Sequence, residues 1–175
     1  MPHHILVAAD GSDHSMKAAE LAGELSAKLG APVTVLHVHM HGRPVAELAR
    51  MAEVEHVLDD LSPRTTPRES ELPRTMQELM HLTDRQVAQL DIIDRIGDLV
   101  LEHARSRVEE AGATDVSTRI GTGDYADAIL DAAEAVGADM IVLGSRGLGQ
   151  LRGLLMGSVS HKVAQNAACT VVIVK

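Results

Sequence analysis

The sequence predicts an α/β fold, an open sheet of five parallel strands with helices on both faces. Three observations predict it. Five short apolar runs of strand length, His4–Ala9, Val33–His39, Asp115–Ile120, Asp139–Leu143 and Cys169–Val174, alternate with stretches of helical periodicity. The joins around the first helix are short, and strand–helix–strand with short joins makes a parallel unit with a right-handed crossover. A glycine-rich loop, Gly144-Ser145-Arg146-Gly147, followed after nine residues by Gly157-Ser158-Val159-Ser160, sits between the fourth apolar run and a helix start.

Each element has its own signal. The first strand, His4–Ala9, ends in Asp10-Gly11-Ser12-Asp13, where Ser12 or Asp13 can cap the next helix, and Gly30 closes that helix. Ala18, Leu21, Ala22, Leu25 and Leu29 recur at helical spacing and predict its buried face. Pro32 opens the second strand. From His41 to about Thr75 the pattern changes, with prolines at 44, 63, 67 and 73 among charges. Val45–Leu61 reads as a helix carrying Leu48, Met51, Ala52, Val54 and Leu58, and Ser62–Arg74 as an exposed loop. Thr75–Glu110 is a long helical stretch that can break near Thr83 or Gly97; its second half is the crossover helix, ended by Gly112. Residues 42–93 are therefore expected to be a helical and loop insertion after strand 2, either covering one end of the sheet or forming a lid or protein-partner surface. After the third strand, Gly121-Thr122-Gly123-Asp124 reads as a loop and Tyr125–Val136 as a helix closed by Gly137. The last helix, Ser158–Ala168, is expected to bury Val159, Val163 and Ala164.

Composition bounds the function. At 175 residues the chain is expected to form one domain, 1–175, large enough for a real core. Phe and Trp are absent and Tyr125 is the sole aromatic residue, so the core must be aliphatic. Without stacking platforms, and with a formal charge of −9, the chain is not expected to bind nucleic acid. The single Cys169 excludes an internal disulfide and fits a reducing compartment. Met1-Pro2-His3-His4 leads straight into a strand, with no leader pattern, and no apolar run approaches the roughly 20 residues that span a bilayer. A soluble, cytoplasmic protein without a membrane partner is the expectation.

The glycine loop is the strongest chemical signal. A loop that leads from a strand into a helix leaves amides unpaired at the helix N-terminus, where the dipole is positive, and so suits a phosphate. Gly144 is expected to let a ligand approach the strand end, Gly147 to permit a tight turn, and Gly157 to keep the helix entrance open. Ser158 and Ser160 add hydroxyl donors, and Arg146, ahead of Arg152, is the better candidate to pair with a phosphate.

The spacing Gly-two-Gly-nine-Gly-Ser resembles the nucleotide-binding signature of the universal stress protein family. The resemblance covers Leu143–Lys175 and returns in Ile5-Leu6-Val7-Ala8-Ala9-Asp10-Gly11-Ser12, but is weak over 42–93. It implies a Rossmann-like sheet in the order 3-2-1-4-5. The winding then breaks between strands 1 and 4, where Asp10 and Gly144 end their strands and ligands bind. It implies an ATP-binding (or AMP- or ADP-binding) stress-response protein that acts through nucleotide-dependent conformation or assembly. Ala9, Asp10, Val38, Leu143, Gly144, Arg146, Gly147, Gly157, Ser158, Val159 and Ser160 are the implied contacts. Among them, Asp10 meets the ribose or holds Mg²⁺, the backbone of Val38 meets the adenine edge, and Gly147 with Gly157–Ser160 seats the phosphates. The resemblance also implies a homodimer through the last strand, where Val171–Val174 offers an apolar edge.

Other motifs are weighed against plainer readings. Asp10 could instead join Ser12 and Asp13 in a helix cap. Gly121-Thr122-Gly123-Asp124-Tyr125-Ala126 fits a relaxed dinucleotide fingerprint, but the acid expected at the end of the next strand is missing, since Asp139 begins it. His37, His39 and His41 alternate and could share a metal, yet a parallel strand is buried on both sides. His161 reads as a surface helix residue, and Cys169 as a buried, inert thiol. No Walker A pattern and no Ser–His–Asp set can be assigned, so no catalytic residue is named. Two alternatives to a binding protein stand: a slow Mg²⁺-dependent ATPase or nucleotide-transfer enzyme, and a scaffold that binds no nucleotide and works through its insertion.

Overall fold

The computed structural model describes residues 3–39, 96–147 and 156–175. The chain divides into two compact units, Met1–His41 with Gly97–Lys175, and Gly42–Ile96. The expectations for Val45–Leu61, Ser62–Arg74, the first half of Thr75–Glu110 and the insertion at 42–93 fall outside the described residues, as do those for His41 and Arg152.

In chain order the elements are β1 (Ile5–Ala8), α1 (Asp13–Leu29), β2 (Val33–His39), α2 (96–110), β3 (Val116–Thr122), α3 (Tyr125–Val136), β4 (Met140–Gly144), α4 (Ser158–Asn166) and β5 (Thr170–Val174). The strands form one parallel sheet in the order β3-β2-β1-β4-β5. β1 and β2 lie inside the sheet, and all seven residues of β2 are buried. That two-sided burial is why β1 reads as a continuous apolar run rather than an alternating one, while β2 buries Thr34, His37 and His39 among its apolar residues.

Helices cover both faces. On one, Leu6, Leu36, Val38, Ile141 and Leu143 pack with Ala126, Ile129, Ala132 and Ala133 of α3 and Val163 of α4. Burying each large aliphatic side chain contributes about 1.5–3 kcal/mol. This stack therefore outweighs surface pairs such as Lys162 with Asp124 and Asp127 at 3.0 and 2.8 Å, which salt and water screen. On the other face lie α1 and α2, with Val100, Leu101, Ala104 and Val108 of α2 buried.

α1 departs from the expected face. Its buried residues are Ser15, Ala18, Ala19, Ala22, Gly23 and Ser26, while Leu21, Leu25 and Leu29 are half-buried. Small side chains let the helix lie close to its neighbours: a Cβ at Gly23 would overlap the Val108 carbonyl of α2. The leucines flank that contact. Ser12 caps α1, its Oγ accepting from Ser15 N at 3.3 Å, and Gly30 ends it in the left-handed conformation with φ 67°. α3 covers Tyr125–Val136 and closes at Gly137, as expected, and Asp124 of the preceding loop caps it.

Several boundaries move: β1 is trimmed by a residue at each end, β3 begins at Val116, and β4 runs Met140–Gly144 instead of Asp139–Leu143. β3 continues through Gly121 and Thr122, which pair with Val38 and His39, so only Gly123 and Asp124 turn the chain. Cys169 precedes β5 rather than opening it, and α4 ends at Asn166. Ala164 is exposed, and the buried side of α4 is Ser160 with Val163.

Candidate functional site

β1 and β4 are neighbours in register, Ala8 opposite Leu143, so the segments following them meet at the carboxyl edge of the sheet. Asp10 follows β1. Its Oδ1 accepts from Ser12 N at 3.1 Å and from Ser12 Oγ at 2.6 Å, while Ser12 caps α1. Its amide donates to Ser15 Oγ at 3.3 Å. The second oxygen, Oδ2, faces Gly147, where an added Cβ would overlap it. Asp10 thus supports the helix cap with one oxygen, and its other oxygen is turned to the glycine loop.

Ser145 organises that loop, and sequence reasoning passed over it. It is 1 % exposed. Its amide donates to Val174 O of β5 at 2.6 Å, and its carbonyl accepts from Gly157 N at 2.7 Å. Its hydroxyl meets His14 Nδ1 of α1 at 3.3 Å. The end of β4 is therefore tied to β5, to the cap of α4 and to the first turn of α1. The motif contained this serine, but nothing marked it as a junction, and His14 carried no signal at all.

The roles expected of the glycines and serines change accordingly. None of Gly144, Gly147 and Gly157 is at positive φ. Gly144 makes room for α1: a Cβ would lie 2.8 Å from His14 Cβ and 3.0 Å from Ser15 N. Gly147 is required by the approach of Asp10, not by a turn. The Gly157 amide is already bonded to Ser145, and the Ser160 hydroxyl donates to Gly144 O at 2.8 Å and Ser145 O at 3.2 Å. A buried hydroxyl beside two strand-end carbonyls bonds inward.

What remains is the N-terminus of α4. Gly157 gives no side-chain cap, and the amides of Ser158, Val159 and Ser160 have no acceptor among the described residues. These are the orphan donors of a helix start, at the positive end of its dipole. α3 offers a contrast: the Asp124 carboxylate accepts from Ala126 N at 3.1 Å and Asp127 N at 3.2 Å, so its own side chain fills the place an anion would take. This is the structural reason that the Gly121–Ala126 fingerprint builds no phosphate seat. A hydrogen bond from Lys162, ahead of the α3 amides, holds the Asp124 carboxyl below its usual range. Arg146 is exposed and has no ion pair among the described residues.

At the other side of Asp10 the β1–β2 ladder stops. Ala9 N donates to Leu36 O at 2.9 Å, and its carbonyl accepts from His37 Nδ1 at 2.9 Å. Backbone groups alternate along a strand. Those of Val33 reach toward β3 and those of Leu36 toward β1, so the N–H and C=O of Val38 are directed past the end of β1. The Val38 side chain is buried in the α3 core. Asp10, the loop, the α4 amides and the Val38 backbone thus share one edge of the sheet.

The remaining candidates lie elsewhere. His37 and His39 are buried with ring centroids 5.6 Å apart, and among the described residues no group of three His, Cys, Asp or Glu could hold a metal. His161 is exposed on α4. Burial, then the nearby Asp139 charge, pushes the Cys169 thiol up, away from nucleophilic reactivity.

Comparison with known proteins points one way. The universal stress protein family model matches residues 1–175. Universal stress protein YxiE of Bacillus subtilis is 31% identical over 180 residues, covering 100% of both chains. A solved universal stress protein in complex with cAMP superposes with a TM-score of 0.59 at 24% identity, over 99% of this chain and 97% of that one. The Archaeoglobus fulgidus protein in complex with dAMP gives 0.56 at 22% identity, over 98% and 96%.

Proposed function

The chain belongs to the universal stress protein family, and on that premise we propose that it binds an adenine nucleotide, ATP or AMP or ADP, at the carboxyl edge of its sheet. One observation carries the reading: the amides of Ser158, Val159 and Ser160 stand without acceptors at the start of α4, on the loop that brings Gly147 against Asp10. An anion there gains three aligned donors and the helix dipole. The cAMP and dAMP bound by the two solved relatives support an adenine compound as its owner.

The residues present fit a magnesium ion as well. Mg²⁺ takes one or two carboxylates, completing its shell with phosphate oxygens and water. Asp10 has one oxygen engaged by Ser12 and the other turned to the loop, which suits a single protein ligand beside the phosphates. The ion would neutralise phosphate charge; Asp10 would position it, and the α4 amides would hold the phosphates themselves. The output is a change of conformation or assembly in a cytoplasmic protein. The edge strand β5, with Val171–Val174 half-buried, supports homodimer formation by strand pairing.

Gly157→Val tests the seat. Gly157 has φ −73°, which any residue adopts, and a Cβ would meet Ser145 O at 3.5 Å, an ordinary contact. The fold should survive while the larger side chain crowds the amides. Calorimetry should show ATP affinity falling by at least about tenfold, roughly 1.4 kcal/mol. Unchanged affinity in a folded variant would remove the site.

A further inference from the structure

We propose that the His37 imidazole ends the β1–β2 ladder and so keeps the Val38 N–H open for the base of the bound nucleotide, making His37 a positioning residue for adenine. The inference rests on the nucleotide reading above. Along β1 and β2 the rungs alternate, and the bond from Ala9 N to Leu36 O at 2.9 Å belongs to that series. In a parallel ladder the next rung runs from Val38 N to Ala9 O. That rung is not made. The Ala9 carbonyl instead accepts from His37 Nδ1 at 2.9 Å. The His37 side chain stands on the α2 face of the sheet, its ring against Gly97, so the Ala9 carbonyl is engaged by a side chain on that face rather than by the Val38 amide.

The chemistry fixes the tautomer. A carbonyl only accepts, so Nδ1 carries the proton. Burial is the largest influence on the ring and holds its pKa below the ordinary value, outweighing the carbonyl, so the neutral form persists at physiological pH. Val38 N–H has no acceptor among the described residues, and its side chain is anchored in the core against Gly121, in the same cluster as Leu36. A fixed, unpaired donor beside a fixed carbonyl matches the donor–acceptor edge of a purine. If the ladder ran one rung further, that donor would be consumed inside the sheet. His37 touches no ligand in this account; it acts through Ala9.

Two substitutions separate this role from simple packing. His37→Leu keeps an apolar filling and removes the donor, whereas the amide of His37→Asn can take the place of Nδ1. Each variant would be titrated calorimetrically with Mg-ATP and with inorganic triphosphate, which lacks the base. His37→Leu should weaken ATP by about tenfold and leave triphosphate unchanged, and His37→Asn should restore ATP to within about threefold. ATP unchanged in His37→Leu, both ligands weakened alike, or His37→Asn behaving like His37→Leu would each overturn the proposal. Amide hydrogen exchange on the free wild-type protein gives a reading that needs neither ligand nor variant. Val38 should exchange far faster than Leu36, and equal protection of the two would overturn the proposal even where His37→Leu fails to fold. A wild-type protein that binds neither ligand refutes the nucleotide reading itself, and is told apart by an open Val38 amide with no ligand to use it.

Discussion

Gly147→Ala places one methyl group against one oxygen, and the consequences can be worked out. The added Cβ overlaps Asp10 Oδ2. Asp10 cannot simply rotate, because Oδ1 is held by Ser12 N at 3.1 Å and Ser12 Oγ at 2.6 Å. Either those bonds break or the loop moves away. Hydrogen bonds to a charged group contribute about 1.5–3 kcal/mol each. A destabilisation of ~2 kcal/mol is therefore expected, roughly 4–8 °C in Tm for a chain of this size. If the loop yields instead, ATP affinity falls by about tenfold with little change in Tm. A double-mutant cycle identifies the cause. With Asp10→Ala in the background the obstruction is gone, and Gly147→Ala should then cost less than about 0.5 kcal/mol, a coupling of at least ~1.5 kcal/mol. Thermal unfolding and calorimetry on the four proteins measure it. Equal losses from Gly147→Ala in both backgrounds would refute the claim that this glycine exists to admit Asp10.

Two further outcomes are expected. Gly144→Ala drives a Cβ into the first turn of α1, 2.8 Å from His14 Cβ and 2.9 Å from its carbonyl carbon, and should cost about 1–3 kcal/mol, seen as a Tm lowered by roughly 2–12 °C. The pH dependence of stability should carry a contribution from His37. Its folded pKa lies below the ordinary 6.5, chiefly through burial, so the unfolded chain binds the proton more readily. Stability from this group is fully present above about pH 6.5 and is lost as pH falls from there through the lowered value. Tm of the wild type should therefore drop more steeply than that of His37→Asn on acidification from pH 6.5, and parallel slopes would contradict the assignment.

Much of the fold was legible because its signals were local. Pro32 and the run of seven buried residues fix β2, and Asp124 and Gly137 bracket α3. The sheet edge that gathers the site followed from the resemblance, since β1 and β4 had to be neighbours for Asp10 and Gly147 to meet. What could not be read was which partner each polar group takes. Ser160 in a glycine loop looks like a ligand donor, but its hydroxyl bonds two strand-end carbonyls. Ser145 looks like filler and is a junction of three elements. His37 and His39 suggested a metal by alternation alone, whereas one of them closes a backbone ladder. On α1, residue hydrophobicity favoured the leucines, but close packing selects for size, and the alanines and Gly23 are buried instead. Such choices depend on distances between segments far apart in sequence.

The most direct test of the account is an amide-resolved titration of the wild-type protein with Mg-ATP. The amides of Ser158, Val159 and Ser160 should shift together and saturate with a single affinity, with Gly147 and Val38 moving in step. Saturable binding of ATP that leaves the Ser158–Ser160 amides unmoved would contradict it.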